Sequence, residues 1–130
     1  MNKLRWFWLI LGLVWVASVF YISLTSSPPQ PLSFWQADKF EHALAYGLLM
    51  LWYCQIYRQR HSRVLLSLLL IGMGVAIEYL QRETAYRTFD YADMLANATG
   101  VMLGWTWART GLGRIFSCLE YHASRKFARV

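Results

Sequence analysis

Nineteen consecutive residues, Trp6 to Leu24, contain no charged side chain. Two further runs, Ala43 to Tyr57 and Val64 to Ile77, are also free of charge. An α-helix needs about 20 mostly apolar residues to cross the hydrocarbon core of a bilayer. The first run meets that length alone, and the other two meet it with a few polar residues at one end. A soluble helical bundle would interrupt such runs with charges on its water-facing side. Composition agrees, with 57% hydrophobic and only 15% charged residues, where soluble domains carry about 25% charged. The 17% of aromatic residues suits a chain with two membrane–water interfaces.

The sequence therefore predicts an all-α integral membrane protein, a bundle of four transmembrane helices in a single domain over residues 1–130. The spans are expected at about residues 5–24, 38–57, 64–80 and 90–107. Lys3 and Arg5 precede the first span as in a signal peptide. Its apolar stretch, however, is longer than the roughly 7–15 residues of a signal core, and no small-x-small site follows before Pro28, so an uncleaved anchor is expected. Pro28, Pro29 and Pro31 make the next connector stiff and irregular, which keeps it outside the hydrocarbon.

Orientation follows from Lys and Arg in short loops. Lys3, Arg5, Arg58, Arg60, Arg63, Arg109, Arg114, Arg125, Lys126 and Arg129 fall on one side, and Lys39, Arg82 and Arg87 on the other. The first side is expected in the cytoplasm, with both termini inside, in the bacterial cytoplasmic membrane. The net charge of +6 is accounted for by these topology signals, and the basic residues form no stripe for nucleic acid, so the bilayer is the expected partner. In residues 109–130, Leu112, Ile115, Phe116, Leu119, Ala123 and Phe127 recur at helical spacing among basic residues. That pattern suits either an interfacial amphipathic helix or a basic tail that only fixes topology. Cys54 and Cys118 show no metal or disulfide spacing and read as packing residues.

The acids are distributed unevenly. Asp38, Glu41, Glu78, Glu83, Asp90 and Asp93 all fall at the outer ends of spans two to four, and only Glu120 lies on the basic side. Asp38, His42 and Tyr46 stand at i, i+4 and i+8 on one helical face. At 1.5 Å per residue, Tyr46 lies roughly 12 Å deeper than Asp38. Glu78 and Gln81 stand at i and i+3, and Asp90, Asp93 and Asn97 at i, i+3 and i+7. Ionisable groups within a span are costly, by about 2.5–3.5 kcal/mol at the helix centre, so they turn inward and find partners. Arg82, Lys39 and His42 are the expected partners of Glu78, and Arg87 is expected to pair with Asp90 or Asp93. Helix-end acids also serve as caps, and that reading suffices for Asp38 and Asp90. For the rest, the spacing predicts a shared polar cluster, which either binds something or only locks the helices together. Ala92, Ala96, Gly100, Gly104 and Ala108 place a small residue at every fourth position, a ridge for close packing that would put the fourth helix at the centre.

No nucleophile elbow, phosphate loop or zinc signature is present. His42, Glu78, Asp90 and Asp93 are suitable divalent-cation ligands, but no pair has a recognised metal spacing, so no metal and no cofactor are expected.

Three motifs stand in order. Asp38-Lys39-Phe40-Glu41-His42-Ala43-Leu44-Ala45-Tyr46 resembles the D-K-x-x-H-x-x-x-Y signature of the VanZ-like family. Ile77-Glu78-Tyr79-Leu80-Gln81 is similar to its E-x-x-Q segment. The run from Arg87 to Gly100 resembles its R-x-x-D-x-x-D-x-x-x-N-x-x-G segment, through Arg87, Asp90, Asp93, Asn97 and Gly100. The likeness covers about Ser26 to Trp105. Glu83-Thr84-Ala85-Tyr86 stands where the family often has Pro-Gly before the Arg, so this loop is expected to turn differently. The resemblance implies a small polytopic membrane protein, and the name-giving member confers low-level resistance to teicoplanin. Three functional readings remain open. The first is a non-enzymatic envelope protein whose outer pocket binds an envelope or glycopeptide-type ligand through Asp38, Lys39, His42, Tyr46, Glu78, Gln81, Arg87, Asp90, Asp93 and Asn97. The second is an intramembrane enzyme on an envelope lipid or sugar, using His42 with Glu78 or Asp93. The third is a solute pathway, which the apolar inner halves of spans three and four disfavour. A polar lock without any ligand is the closest rival of the first.

Overall fold

The computed structural model describes residues 3–29 and 32–115, with the helical positions Cys118 and Tyr121. Its described residues form no strand. They fold into four α-helices, α1 (Lys3–Leu24), α2 (Ala37–Ile56), α3 (Arg60–Arg82) and α4 (Tyr91–Ala108), followed by a 3-10 turn at Gly111–Arg114. Each helix matches a predicted segment within two residues at every boundary except one. α3 starts at Arg60 rather than Val64, taking His61 and Arg63 into its first turn. Arg63 then folds back onto the end of α2, where its Nε donates to the Tyr57 carbonyl (3.0 Å) and its guanidinium to the Cys54 carbonyl (3.0 Å). Carbonyls in a last helical turn lack amide partners, and Arg63 satisfies two of them. The amphipathic-tail positions Phe116, Leu119, Ala123 and Phe127, the tail cations Arg125, Lys126 and Arg129, and Glu120 lie outside the described residues. Ile115 is helical and exposed.

Of the four expected spans, two are long and apolar enough on composition alone, Arg5–Leu24 with a mean hydropathy of 2.2 and Arg60–Arg82 with 1.9. α2 and α4 fall short because polar residues occupy their opening turns, Asp38, Lys39, Glu41 and His42 in one and Asp93 and Asn97 in the other. All four helices nonetheless turn large apolar side chains outward. Trp6, Ile10, Leu13 and Val14 are exposed on α1, and Leu44 and Leu48 on α2. Val64, Leu65, Leu68 and Leu69 are exposed on α3, and Leu95, Met102 and Leu103 on α4. Contiguous apolar surface beyond roughly a few hundred Å² is unusual on a water-soluble monomer.

The interior is built around α2, which contacts each of the other three helices. Leu49, Met50 and Cys54 are fully buried on it, and Leu70 of α3 and Val101 of α4 close over them. α4 packs against both α2 and α3, as its small-residue ridge predicts. Its small-residue ridge is real only from Gly100 onward, since Ala92 is exposed. A methyl group on Gly100 would run into the Ala43 carbonyl oxygen, and one on Gly104 into the Gly47 carbonyl oxygen. Ala43 and Gly47 thus face Gly100 and Gly104 with backbones nearly touching, the geometry that small residues four apart allow. α1 is joined less closely, through an aromatic seam in which Trp52 stands edge-on to Trp8 and Trp15 and its Nε1 donates to the Trp8 carbonyl (3.2 Å).

Candidate functional site

The close α2–α4 approach brings the first turns of those helices together at one end of the molecule, beside the last turns of α3. This acidic end brings together Asp38, Lys39, His42, Glu78, Asp90, Asp93 and Asn97. Asp90 caps α4, its Oδ1 accepting from the Ala92 amide (2.8 Å). Lys39 reaches across from α2. Its Nζ donates to Asp38 Oδ2 (2.8 Å) and Asp90 Oδ2 (2.6 Å) and pairs with Asp93 Oδ1 (2.5 Å). One ammonium thus holds three carboxylates and ties α2 to α4. One turn deeper, His42 Nδ1 meets Asn97 Oδ1 (3.1 Å), and His42 Nε2 lies 3.8 Å from Asp93 Oδ2. An amide oxygen can only accept, so Nδ1 carries the proton of this bond and Nε2 is left facing the carboxylate.

Glu78 is completely buried. Its Oε2 accepts from the Asp90 backbone amide (3.0 Å), while its Oε1 has no hydrogen-bond partner. The Tyr46 hydroxyl, four residues along α2 from His42, is likewise buried without a partner. Leaving a buried acceptor unsatisfied costs about 1–3 kcal/mol, and more for a charged one. The packing of the helix backbones evidently outweighs that cost, or a group not belonging to the chain relieves it.

Several expected pairings are replaced. In place of the ionic partners expected for it, Arg82, Lys39 or His42, Glu78 takes a backbone amide, while Lys39 goes to the three aspartates and Arg82 is exposed. Arg87 does not pair with Asp90 or Asp93. Its guanidinium reaches the Ile22 carbonyl of α1 (3.3 Å). Gln81 also turns to α1 and donates to the Ser23 carbonyl (2.8 Å). Tyr86, from the loop segment that departs from the family pattern, donates to the Leu24 carbonyl (2.8 Å). These three side chains satisfy the last carbonyls of α1, which is a capping role. On α2 Lys39 and His42 reach across to α4, whereas Asp38 is exposed and meets the cluster only through Lys39. The sequence reading gave Glu41 no role. Its Oε1 accepts from the Leu32 amide (3.1 Å) and fastens the proline-containing connector to α2.

Between that connector, α1 and the opening turns of α2 lies a cavity of about 760 Å³. Lys39, His42, Arg87 and Asp93 are among its polar lining residues, and Trp15, Val19 and Ile22 of α1 among its apolar ones. The cluster is therefore not sealed.

A family model described as VanZ/LLP1 matches residues 3–114. No curated protein and no solved structure matches the chain. The match takes in all four helices, the two strongly apolar ones included, and each of the three motifs that meet at the acidic end. The chain belongs to the VanZ/LLP1 family.

Proposed function

We propose that all four helices cross the bacterial cytoplasmic membrane, with both termini in the cytoplasm and the acidic end outward. There the chain binds an envelope ligand that has a polar or cationic group and an apolar portion, and it binds without turnover. The outward-facing apolar side chains on every helix support the four-span reading, and the charge-free inner halves argue against a solute pathway. The observation that carries the binding reading is the cavity, lined by both polar and apolar side chains. Lys39, His42 and Asp93 supply polar lining, and Trp15, Val19 and Ile22 of α1 supply apolar lining. Such a space matches the junction between the head group and the chain of a lipid-linked molecule. Among the residues that line it, the carboxylates Asp38, Glu41, Asp90 and Asp93 outnumber the cations Lys39 and Arg87, so the lining favours positive charge. A cluster serving only to lock helices would leave neither a cavity nor the unpartnered Tyr46 hydroxyl.

Native mass spectrometry of the chain extracted in mild detergent tests this. The wild type should carry an organic adduct that is lost on changing His42→Gln together with Asp93→Asn, and reduced by Trp15→Ala, at unchanged folded abundance. An adduct-free wild type, or an adduct retained by the double variant, contradicts the reading.

A further inference from the structure

From the acidic end we infer a divalent-cation site formed by His42, Glu78 and Asp93, of the kind that takes Zn²⁺ or Mn²⁺. One ligand atom from each of these residues lies within 4.8 Å of the other two. Ligand distances of about 2.0–2.2 Å put neighbouring ligand atoms roughly 3–3.5 Å apart, so the three groups need to draw in by little more than a side-chain adjustment. The three come from three different helices, which is why no local spacing announces them.

Three independent features point to a cation rather than to an accidental meeting of acids. Glu78 is fully buried with one carboxylate oxygen unpartnered, and its carboxylate lies within reach of the other two groups. His42 is oriented as a metal-ligating histidine is. Its Nδ1–H donates to Asn97 Oδ1, which turns Nε2 toward Asp93, and such a second hydrogen bond ordinarily fixes a ligating imidazole. Lys39, the nearest ammonium, is occupied by Asp38, Asp90 and the Oδ1 atom of Asp93. It leaves Asp93 Oδ2 and Glu78 facing the imidazole, and among the described residues no cation pairs with Glu78. One imidazole and two carboxylates form a mixed nitrogen and oxygen set. That set suits Zn²⁺ or Mn²⁺ better than the all-oxygen shells preferred by Ca²⁺ and Mg²⁺. Three protein ligands leave at least one coordination position open, and His42 and Asp93 line the cavity where a ligand oxygen would complete it. The site shares the cavity with the proposed envelope ligand but does not require it, so the two readings fail separately.

The test uses the full chain, purified with a histidine-free tag, stripped with chelator and returned to lipid nanodiscs. The sequence has three histidines, His42, His61 and His122. Changing His61→Gln and His122→Gln leaves His42 as the only imidazole. Titration with Mn²⁺, followed by pulsed electron paramagnetic resonance, should give one bound ion per chain with a coupled imidazole nitrogen. Zn²⁺ should displace it. Glu78→Gln and His42→Gln should each weaken binding at least about 10-fold, and Asn97→Leu, which removes only the orienting bond, about 10- to 100-fold. Absence of a bound ion, or a bound ion without nitrogen coupling in the chain carrying only His42, overturns the proposal. Because the nitrogen signal is read on that chain with its ligands intact, the test stands even where Glu78→Gln fails to fold.

Discussion

Gly100 and Gly72 are both helical glycines with ordinary backbone angles, and the structure assigns opposite signs to the same substitution at the two positions. Replacing a glycine by alanine within a helix gains about 1 kcal/mol of intrinsic propensity. At Gly72 a methyl group meets nothing within 4 Å, so that gain is realised in full. At Gly100 the methyl group collides with the carbonyl oxygen of Ala43. Backbone cannot rotate away as a side-chain tip can, so α2 and α4 must separate along their shared seam. Overpacking costs about 1–3 kcal/mol, and here it also strains the Lys39 bridge and the His42–Asn97 bond, which span the same two helices. Gly100→Ala should therefore lower stability by about 1–2 kcal/mol net, with Gly72→Ala raising it by up to about 1 kcal/mol. Thermal unfolding of the detergent-purified variants, followed by circular dichroism, ranks them directly. A Gly100→Ala chain as stable as the Gly72→Ala chain would refute the backbone contact between α2 and α4.

Glu78→Leu should cost about 1–3 kcal/mol by leaving the Asp90 amide unpartnered in the interior, whereas Glu78→Gln keeps an acceptor there and should stay within about 1 kcal/mol of the wild type. Equal stability of the two variants in the same unfolding assay would show that the bond contributes nothing. Lys39→Met should lose about 1–3 kcal/mol, between what an exposed and a fully buried ion pair contribute, because the Lys39 side chain is 21% exposed. Part of that loss should be recovered at high salt, which screens the three aspartates left behind, and a variant indifferent to salt would contradict the bridging role.

Helix positions were legible because uncharged runs of this length have few alternatives. The start of α3 was not, because a helix does not stop where its apolar surface stops. Arg60 to Arg63 remain helical, and Arg63 gains two carbonyl partners by doing so. Lys39, His42, Glu78, Asp90, Asp93 and Asn97 of the three motifs come together at the acidic end, since an ionisable residue in an apolar helix has strong reason to turn inward, whereas Gln81 and Arg87 turn to α1. Their pairings were not legible. Charges in a sequence suggest charged partners, and the donor that Glu78 takes is a main-chain amide, which every residue but proline carries. The α2 stripe was read one position off, at Asp38 instead of Lys39, because either residue shares a face with His42 and Tyr46. Only the placement of α4 selects between them. The small-residue ridge marked a close contact of α4 but not its partner, which is the Ala43 and Gly47 backbone of α2.

The outward-facing acidic end is the claim on which the proposed function rests, and cysteine accessibility in intact cells tests it most directly. In a chain carrying Cys54→Ala and Cys118→Ala, single cysteines at the exposed positions Ser27 and Gln59 report on the two ends of the molecule. A membrane-impermeant maleimide should label Ser27→Cys in intact cells and Gln59→Cys only after the cells are permeabilised. Labelling of both in intact cells, or of Gln59→Cys alone, would contradict it.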